Sequence, residues 1–261
     1  MQLKTHRTER VVSGDSLFKL IDDYLPKMNE RSVFVITSKI ISLCEGSVIP
    51  KEQVESKEEL IQQSADAYLD LSEEPPSPHA IQITIKNSIL IPSAGIDESN
   101  GEGIYILYPK DIQDSATKIW EHIRKRDQIN ELGVIITDSH TTPMRRGVIG
   151  IGLGWCGFNP LYSYIGKPDC FGNPLRVTMV NNLDALSVAA VFCMGEGNEQ
   201  TPFCVIENVP RIEFQIAPPS VDEVKGLSIP LEEDLYAPLL KNKNWITKNS
   251  NSSAAIRIRL T

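Results

Sequence analysis

The sequence has no CxxC pair, no apolar run long enough to cross a bilayer and no excess of positive charge. Each absence excludes something. Cys44, Cys156, Cys170, Cys193 and Cys204 are widely spaced, which suits reduced thiols better than a disulfide framework or a zinc site. The four histidines, His6, His79, His122 and His140, complete no recognisable Cys/His nucleophile signature. The longest apolar stretches, such as residues 185–194, fall short of the ~20 residues of a spanning helix, and the opening MQLKTHRTER holds no apolar core of a secretion signal. Lys plus Arg number 26 against 34 Asp plus Glu, for a net charge of -8, so the balance disfavours a protein built to grip nucleic-acid backbones. What remains is a soluble, cytoplasmic chain with no nucleic-acid or membrane partner. Its 261 residues allow one large domain or two of ~100–200 residues.

Periodicity divides the chain into elements. Residues 14–24 carry the capping types Asp15 and Ser16 and space Leu17, Leu20, Ile21 and Tyr24 at i, i+3, i+4 and i+7, which predicts an amphipathic helix. SVFVIT (residues 32–37) is a short β-branched run and reads as a buried strand that leads at once into Ser38 and Lys39. Residues 51–71 have a charged helical rhythm, ended by EEPPSP at 73–78. IQITIKN (81–87) alternates and SILIP (88–92) follows after almost no turn, so two β segments lead into AGIDESN at 94–100. A strand at 103–108, a helix at 114–126, strands at 133–137 and 203–208 and a long helix at 182–194 complete the series. The mixture, with hairpin-like spacings, predicts an α+β fold rather than a doubly wound parallel sheet. In RRGVIGIGLGWCG (145–157) the glycines alternate within an apolar run, without the strand–turn–helix order of a dinucleotide fingerprint. They predict a strand on which another backbone or a ligand can lie close. The tail beyond 217 contains a polar, low-complexity stretch at 249–253.

Three loops offer chemistry. AGIDESN places Asp97, Glu98, Ser99 and Asn100 directly after a β segment, where hard-cation ligands are often supplied, although taken alone the motif reads more readily as a plain polar turn. ITDSHTTPMRRG sets Asp138 and Ser139 at the end of an apolar strand, ahead of Arg145 and Arg146. A carboxylate beside a hydroxyl can share one Mg²⁺, and guanidinium groups suit phosphate oxygens. MGEGNEQ puts Glu196 between Gly195 and Gly197, which a helix stop alone does not explain. With Lys39 as a further phosphate partner, this is the inventory of a metal–nucleotide site that lacks a GxxxxGK[ST] loop.

AGIDESN, the TDS followed by Pro143-Met144-Arg145, IGKPDCFGNPLRVT (165–178), Asp184-Ala185-Leu186, MGEG (194–197) and TSKIISLCEG (37–46) together resemble the γ-glutamyl ligase family of coenzyme F420-0:L-glutamate ligase. The resemblance is colinear over about 14–208, and within the family the chain looks like a branch associated with folate metabolism. It implies an α+β fold of two intertwined lobes with mixed and antiparallel sheets over residues 1–215, a C-terminal extension at 216–261, and a homodimer. It also implies GTP (or ATP) bound in a groove with Mg²⁺ or Mn²⁺, and attachment of L-glutamate to a small-molecule carboxylate acceptor. By motif position, Asp97, Asp138, Ser139 and Glu196 are the implied metal ligands. Ser38, Lys39, Asn100, Arg145, Gly195 and Gly197 are the implied nucleotide contacts, with Lys39 and Arg145 as catalytic cations and residues 8–11 near the base.

Departures from the family pattern concern cations. Leu43 stands for a lysine, Thr142 and Asn173 for arginines, and Arg146 for a glutamate. Retained carboxylates with rearranged cations suggest ligase chemistry with an altered acceptor or nucleotide preference. Two alternatives stay open: a non-catalytic nucleotide- and metal-binding regulator that has lost its acceptor site, and a metal-dependent phosphohydrolase.

Overall fold

Four consecutive residues of SVFVIT, Val33 to Ile36, have no exposed surface, and the strand they form lies inside the main sheet of the computed structural model, which describes residues 1–70, 81–241 and 244–247. Along the chain, β1 (Gln2–His6), α1 (Leu17–Tyr24), β2 (Ser32–Thr37) and α2 (Ser38–Glu45) come first. Next are β3 (Val48–Pro50), α3 (Lys57–Ser64), β4 (Ala67–Leu69), β5 (Ile83–Lys86), β6 (Ile89–Pro92) and β7 (Ile104–Ile106). Then follow α4 (Ile112–Asp127), β8 (Leu132–Thr141), β9 (Val148–Cys156), β10 (Leu161–Ser163), β11 (Met179–Asn181), α5 (Asn182–Met194) and β12 (Phe203–Glu207). Last are α6 (Val221–Leu227), α7 (Ala237–Leu240) and β13 (Trp245–Thr247). The fold is a mixed α+β one, divided into two units. One comprises Met1–Ser47 with Tyr108–Leu227, the other Val48–Leu107 with the described residues from Ser228 onward.

The first unit is built on a five-stranded sheet of order β1-β12-β2-β8-β9. Only β2 and β8 run parallel, in the register Ser32↔Leu132 to Thr37↔Thr137. Helix α5 covers the face that carries Val33, Val35, Ile135 and Trp155, through Leu183, Leu186, Ala190 and Met194. Glycines let it settle deep. A Cβ on Gly150 would lie 2.3 Å from the Ser187 carbonyl oxygen, and one on Gly152 would lie 2.3 Å from Leu183. A bulge opposite Ile136/Thr137 inserts Leu153 into β9, so Gly154 meets Ile112 of α4 instead. The alternating glycines are therefore a strand, as its pattern predicts, and the bodies lying close are two helices. Asp184 ties α5 to this strand, accepting from Gly152 N at 3.0 Å and from Asn181 Nδ2 at 2.6 Å.

The second unit holds the antiparallel sheet β13-β4-β5-β6 and the pair β3-β7. Asn87 and Ser88 join β5 to β6 with φ of 52° and 61°, the left-handed pair that a two-residue hairpin requires. Leu60, Ile61, Ala65, Ala94 and Ile96 form its buried centre.

Two expected spans differ. The helix expected over 51–71 is confined to Lys57–Ser64, started by the Ser56 side chain accepting from Glu59 N. Beyond it, Ala67 and Tyr68 pair with Ile85 and Thr84, so strand pairing overrides the helical rhythm. The strand expected to stop at 137 continues to Thr141, because its pairing with β9 runs on to Thr141↔Val148. The proline tract at 73–78 and the polar stretch at 249–253 lie outside the described residues. No helix among the described residues is long and apolar enough to cross a membrane. All five cysteines are free, and burial pushes the Cys44, Cys156 and Cys204 thiols up to about 12, which keeps them inert.

The approach of α5 to β9 is testable. Gly150→Ala places a methyl group against main chain that has no room to give, so we expect a loss of ~1–3 kcal/mol and a thermal midpoint several degrees lower in a calorimetric scan. An unchanged midpoint would contradict the contact.

Candidate active site

In the first unit, one end of the five-stranded sheet collects most of the candidate residues. The parallel pair β2–β8 ends in register at Thr37↔Thr137. Ser38 and Lys39 follow Thr37 as the first turn of α2, and Asp138 follows Thr137 on β8. Loops at the carboxyl ends of parallel strands are where open sheets bind ligands. No side chain among the described residues caps α2, and no acidic residue lies in its first turn. Its main-chain N–H groups and the half-buried Lys39 thus make an anion-favouring corner. Gly46, at φ 69°, closes the helix. This helix has no counterpart among the expected elements, although Ile40, Ile41 and Leu43 are buried on it. Leu43 points into the core, so the position where the family pattern has lysine is packing here.

The loop between α5 and β12 lies at the same end. Thr37 N donates to Pro202 O at 3.2 Å, and Thr8 N to Gln200 O at 2.9 Å. That brings the Gly195–Gly197 turn and the segment after β1 to the edge that carries Lys39 and Asp138. Glu196 is exposed on this turn. Glu199, which no sequence pattern singles out, folds back so that Gly197 N donates to its Oε2 at 2.8 Å. A Cβ on Gly195 would come within 2.5 Å of that carboxylate. The Gly197 N–H expected to meet nucleotide is therefore engaged by the protein's own anion.

Asp138 is half-buried, and the Tyr108 hydroxyl donates to its Oδ2 at 2.9 Å. Burial first, and then the Asp138 charge, raise the Tyr108 phenol well above its ordinary value, so it stays protonated and donating through the neutral range. Nothing in the sequence around Tyr108 marks this partnership across 30 residues. Asp138 and Ser139 are adjacent within β8 rather than in a loop beyond it. Both lie inside β8, opposite Ile151 and Gly150, and neighbouring side chains on a strand leave opposite faces. The Ser139 hydroxyl thus leaves the face on which Gly150 meets α5, away from the Asp138 carboxylate. His140 shares the Asp138 face; its Nδ1 is buried without a hydrogen-bond partner, and burial holds its pKa below the ordinary value against the Asp184 charge.

Arg145 lies in the β8–β9 turn, where Arg145 N donates to Thr142 O at 3.3 Å. Arg145 and Arg146 are exposed. Thr141 ends the strand three residues beyond Asp138, about 10 Å at ~3.3 Å per residue.

Asp97 and Asn100 belong to the second unit. Ser93, Ala94 and Gly95 are all left-handed, and the buried Thr84 hydroxyl anchors this corner by accepting from Ala94 N at 2.8 Å while donating to Ile91 O. Asp97 then bridges to Ile106 through its main chain and turns the loop by accepting from Ser99 N at 2.6 Å and Ser99 Oγ at 3.1 Å. Asn100 is exposed in the left-handed region at φ 58°. Glu98, between them, receives Lys51 Nζ at 2.6 Å and also ion-pairs with Lys57. These lysines lie 47 and 41 residues away in sequence, beyond the reach of any local pattern. Among the described residues no three His, Cys, Asp or Glu side chains form a ready-made metal cluster.

A sequence model described as F420-0:Gamma-glutamyl ligase matches residues 6–208. The chain belongs to the F420-0:γ-glutamyl ligase family. The coenzyme F420:L-glutamate ligase of Methanococcus maripaludis strain C7 is 32% identical over 215 residues, covering 77% of this chain and 85% of that protein. The ligase of the same name from Methanothermobacter thermautotrophicus is 30% identical over 242 residues, covering 87% and 94%. That of Methanocaldococcus jannaschii is 33% identical over 216 residues, covering 75% and 82%. The family match spans every candidate residue named above, in both units.

The Glu98 ion pairs carry a pH signature. Hydrogen bonds from Lys51, then Lys57, hold the Glu98 carboxyl below its ordinary value. Their stabilisation is complete above the unfolded-state pKa and is lost as pH falls through the lowered folded one. Glu98→Gln should therefore be less stable than wild type in neutral denaturant titrations, and the two should converge in acid. A gap that persists in acid would contradict this assignment.

Proposed function

We propose that the protein is a nucleotide- and divalent-metal-dependent ligase that forms an amide between L-glutamate and a small-molecule carboxylate through an acyl phosphate. The observation that supports this reading is the register of β2 against β8, which ends their pairing at Thr37 and Thr137, so that the first turn of α2, with Lys39, and Asp138 follow paired positions. Membership of a γ-glutamyl ligase family supplies the reaction class. The acceptor is F420-0 or a folate-like molecule. The departures at Thr142, Arg146 and Asn173 favour an altered acceptor or nucleotide preference. Asn173 now serves its own loop, donating to Asp169.

A carboxylate is a poor electrophile, so it must first be phosphorylated. The acceptor oxygen attacks the γ-phosphorus of GTP (or ATP), the bond from that phosphorus to the β,γ-bridging oxygen breaks, and the nucleoside diphosphate leaves. The glutamate amine then attacks the acyl carbon, phosphate departs with the carbon–oxygen electron pair, and the amine loses a proton. Lys39 and the first-turn N–H groups of α2 hold phosphate oxygens and stabilise the charge that gathers on them. Asn100 and the Gly195–Gly197 turn contact the nucleotide, the latter once Glu199 is displaced, and Arg145 comes from its hairpin to the phosphates. Asp97, Asp138 and Glu196 are the residues that would hold Mg²⁺ or Mn²⁺, which would supply positive charge to offset that of the phosphates and the anionic acceptor.

The reading includes a cytoplasmic homodimer. Ile165, Phe171, Val177, Met179 and Val180 are all exposed on the segment that runs from just after β10 into β11, an apolar set of the kind that marks an interaction surface.

The test is phosphate release from GTP or ATP with Mg²⁺, measured with and without L-glutamate and acceptor. Release that requires both, with a glutamyl adduct in the mass spectrum, is the expected result, and Asp97→Ala or Asp138→Ala should lower kcat/KM by at least about 100-fold. Release from nucleotide alone would indicate a phosphohydrolase. Nucleotide binding without turnover, across F420-0 and folate acceptors, would indicate a regulatory binder.

A further inference from the structure

A metal-binding carboxylate works only if its oxygens are aimed, and Asp138 by itself can turn about two side-chain bonds. We propose that Tyr108 is a positioning residue that sets the rotation of the Asp138 carboxylate toward the bound ion by donating its hydroxyl hydrogen to Oδ2. The proposal rests on the reading of Asp138 as a metal ligand.

Three observations carry it. The tyrosine is 8% exposed, so packing fixes the ring and with it the donor, while Asp138 stands half-buried at the sheet end. The O···O distance of 2.9 Å is that of an ordinary hydroxyl–carboxylate hydrogen bond. The β9 bulge opposite Ile136/Thr137 shifts the register just ahead of Asp138, so that Asp138 stands opposite Ile151. Backbone and phenol thus divide the task, one placing the carboxylate and the other orienting it. Tyr108 precedes α4 and Asp138 lies on β8, and α4 packs along β8 and β9, so the two ends of the hydrogen bond are held by one rigid layer. Groups that hydrogen-bond a ligating carboxylate from behind typically govern metal affinity by 10–100-fold.

Mn²⁺ alone, titrated into the full chain and followed by the electron paramagnetic resonance of the free ion, provides the test. Tyr108→Phe keeps the ring and removes the donor. It should weaken Mn²⁺ binding by about 10–100-fold and alter the line shape of the bound ion, a signature that a merely structural hydroxyl would not move. Equal affinity and an equal spectrum would overturn the proposal. Asp138→Asn, run in parallel, separates the failures: if it binds Mn²⁺ like wild type, or wild type binds none, the metal reading itself falls and takes the proposal with it. If Asp138→Asn loses the ion while Tyr108→Phe retains it fully, only the role of Tyr108 falls. Should Tyr108→Phe fail to fold, fluorotyrosine at position 108 keeps the ring and strengthens the donor; the expected result is a shifted Mn²⁺ affinity, and an unshifted one overturns the proposal.

Discussion

The parallel pairing of β2 with β8 is the constraint on which the proposed chemistry depends. Every other neighbouring pair in that sheet is antiparallel, so only here do two strands deliver their carboxyl ends to one place. Parallel partners need a long crossover, and the chain between Thr37 and Leu132 includes α2, residues 48–107 and α4. Val33 to Ile36 and Leu132 to Ile136 are buried on both faces, so a slip in register is costly, since a shift by one residue would carry each side chain to the opposite face and its differently shaped packing. Register therefore transmits core packing to the site. It holds Thr37 opposite Thr137, the positions after which α2 with Lys39 and the residue Asp138 follow.

Close helix packing reinforces that placement. Gly150 and Gly152 admit α5 against β9, and Asp184 pins the start of the helix to Gly152 N. Leu153, the extra residue of the bulge, lets Gly154 serve a second helix two positions on. The sheet end at which the anion-favouring turn, the carboxylate and the Gly195–Gly197 loop meet is thus backed by contacts with little freedom. The hairpin beyond Thr141 is different: Met144, Val148 and Ile149 are exposed, which suits an arm that reaches a ligand or a second subunit.

Much of this was legible in the sequence wherever a local signal and the tertiary structure agree. SVFVIT is a strand because β-branched residues suit a pleated, buried position, and residues 182–194 form the long helix as expected, with Asn181 as its cap. Asp97 follows β6 after a short turn, as its motif suggests. Local signals misled where pairing overrode them, as at Ala67–Leu69, and where a loop motif was in fact strand, as at Asp138 and Ser139. Tyr108, Lys51, Lys57 and Glu199 escaped notice because each acts through a contact that sequence spacing does not encode. The first three reach across 30 to 47 residues, and Glu199 depends on a backward fold onto its own loop.

The central claim is that Lys39 and Asp138, aligned by one strand register, form the phosphate and metal corner of a ligase site. Crystals soaked with GTP and Mn²⁺, with anomalous data collected at the manganese edge, test it most directly. The account predicts a manganese peak on the Asp138 carboxylate and phosphate oxygens at the first turn of α2 beside Lys39. Nucleotide and manganese bound elsewhere, leaving both residues untouched, would contradict it.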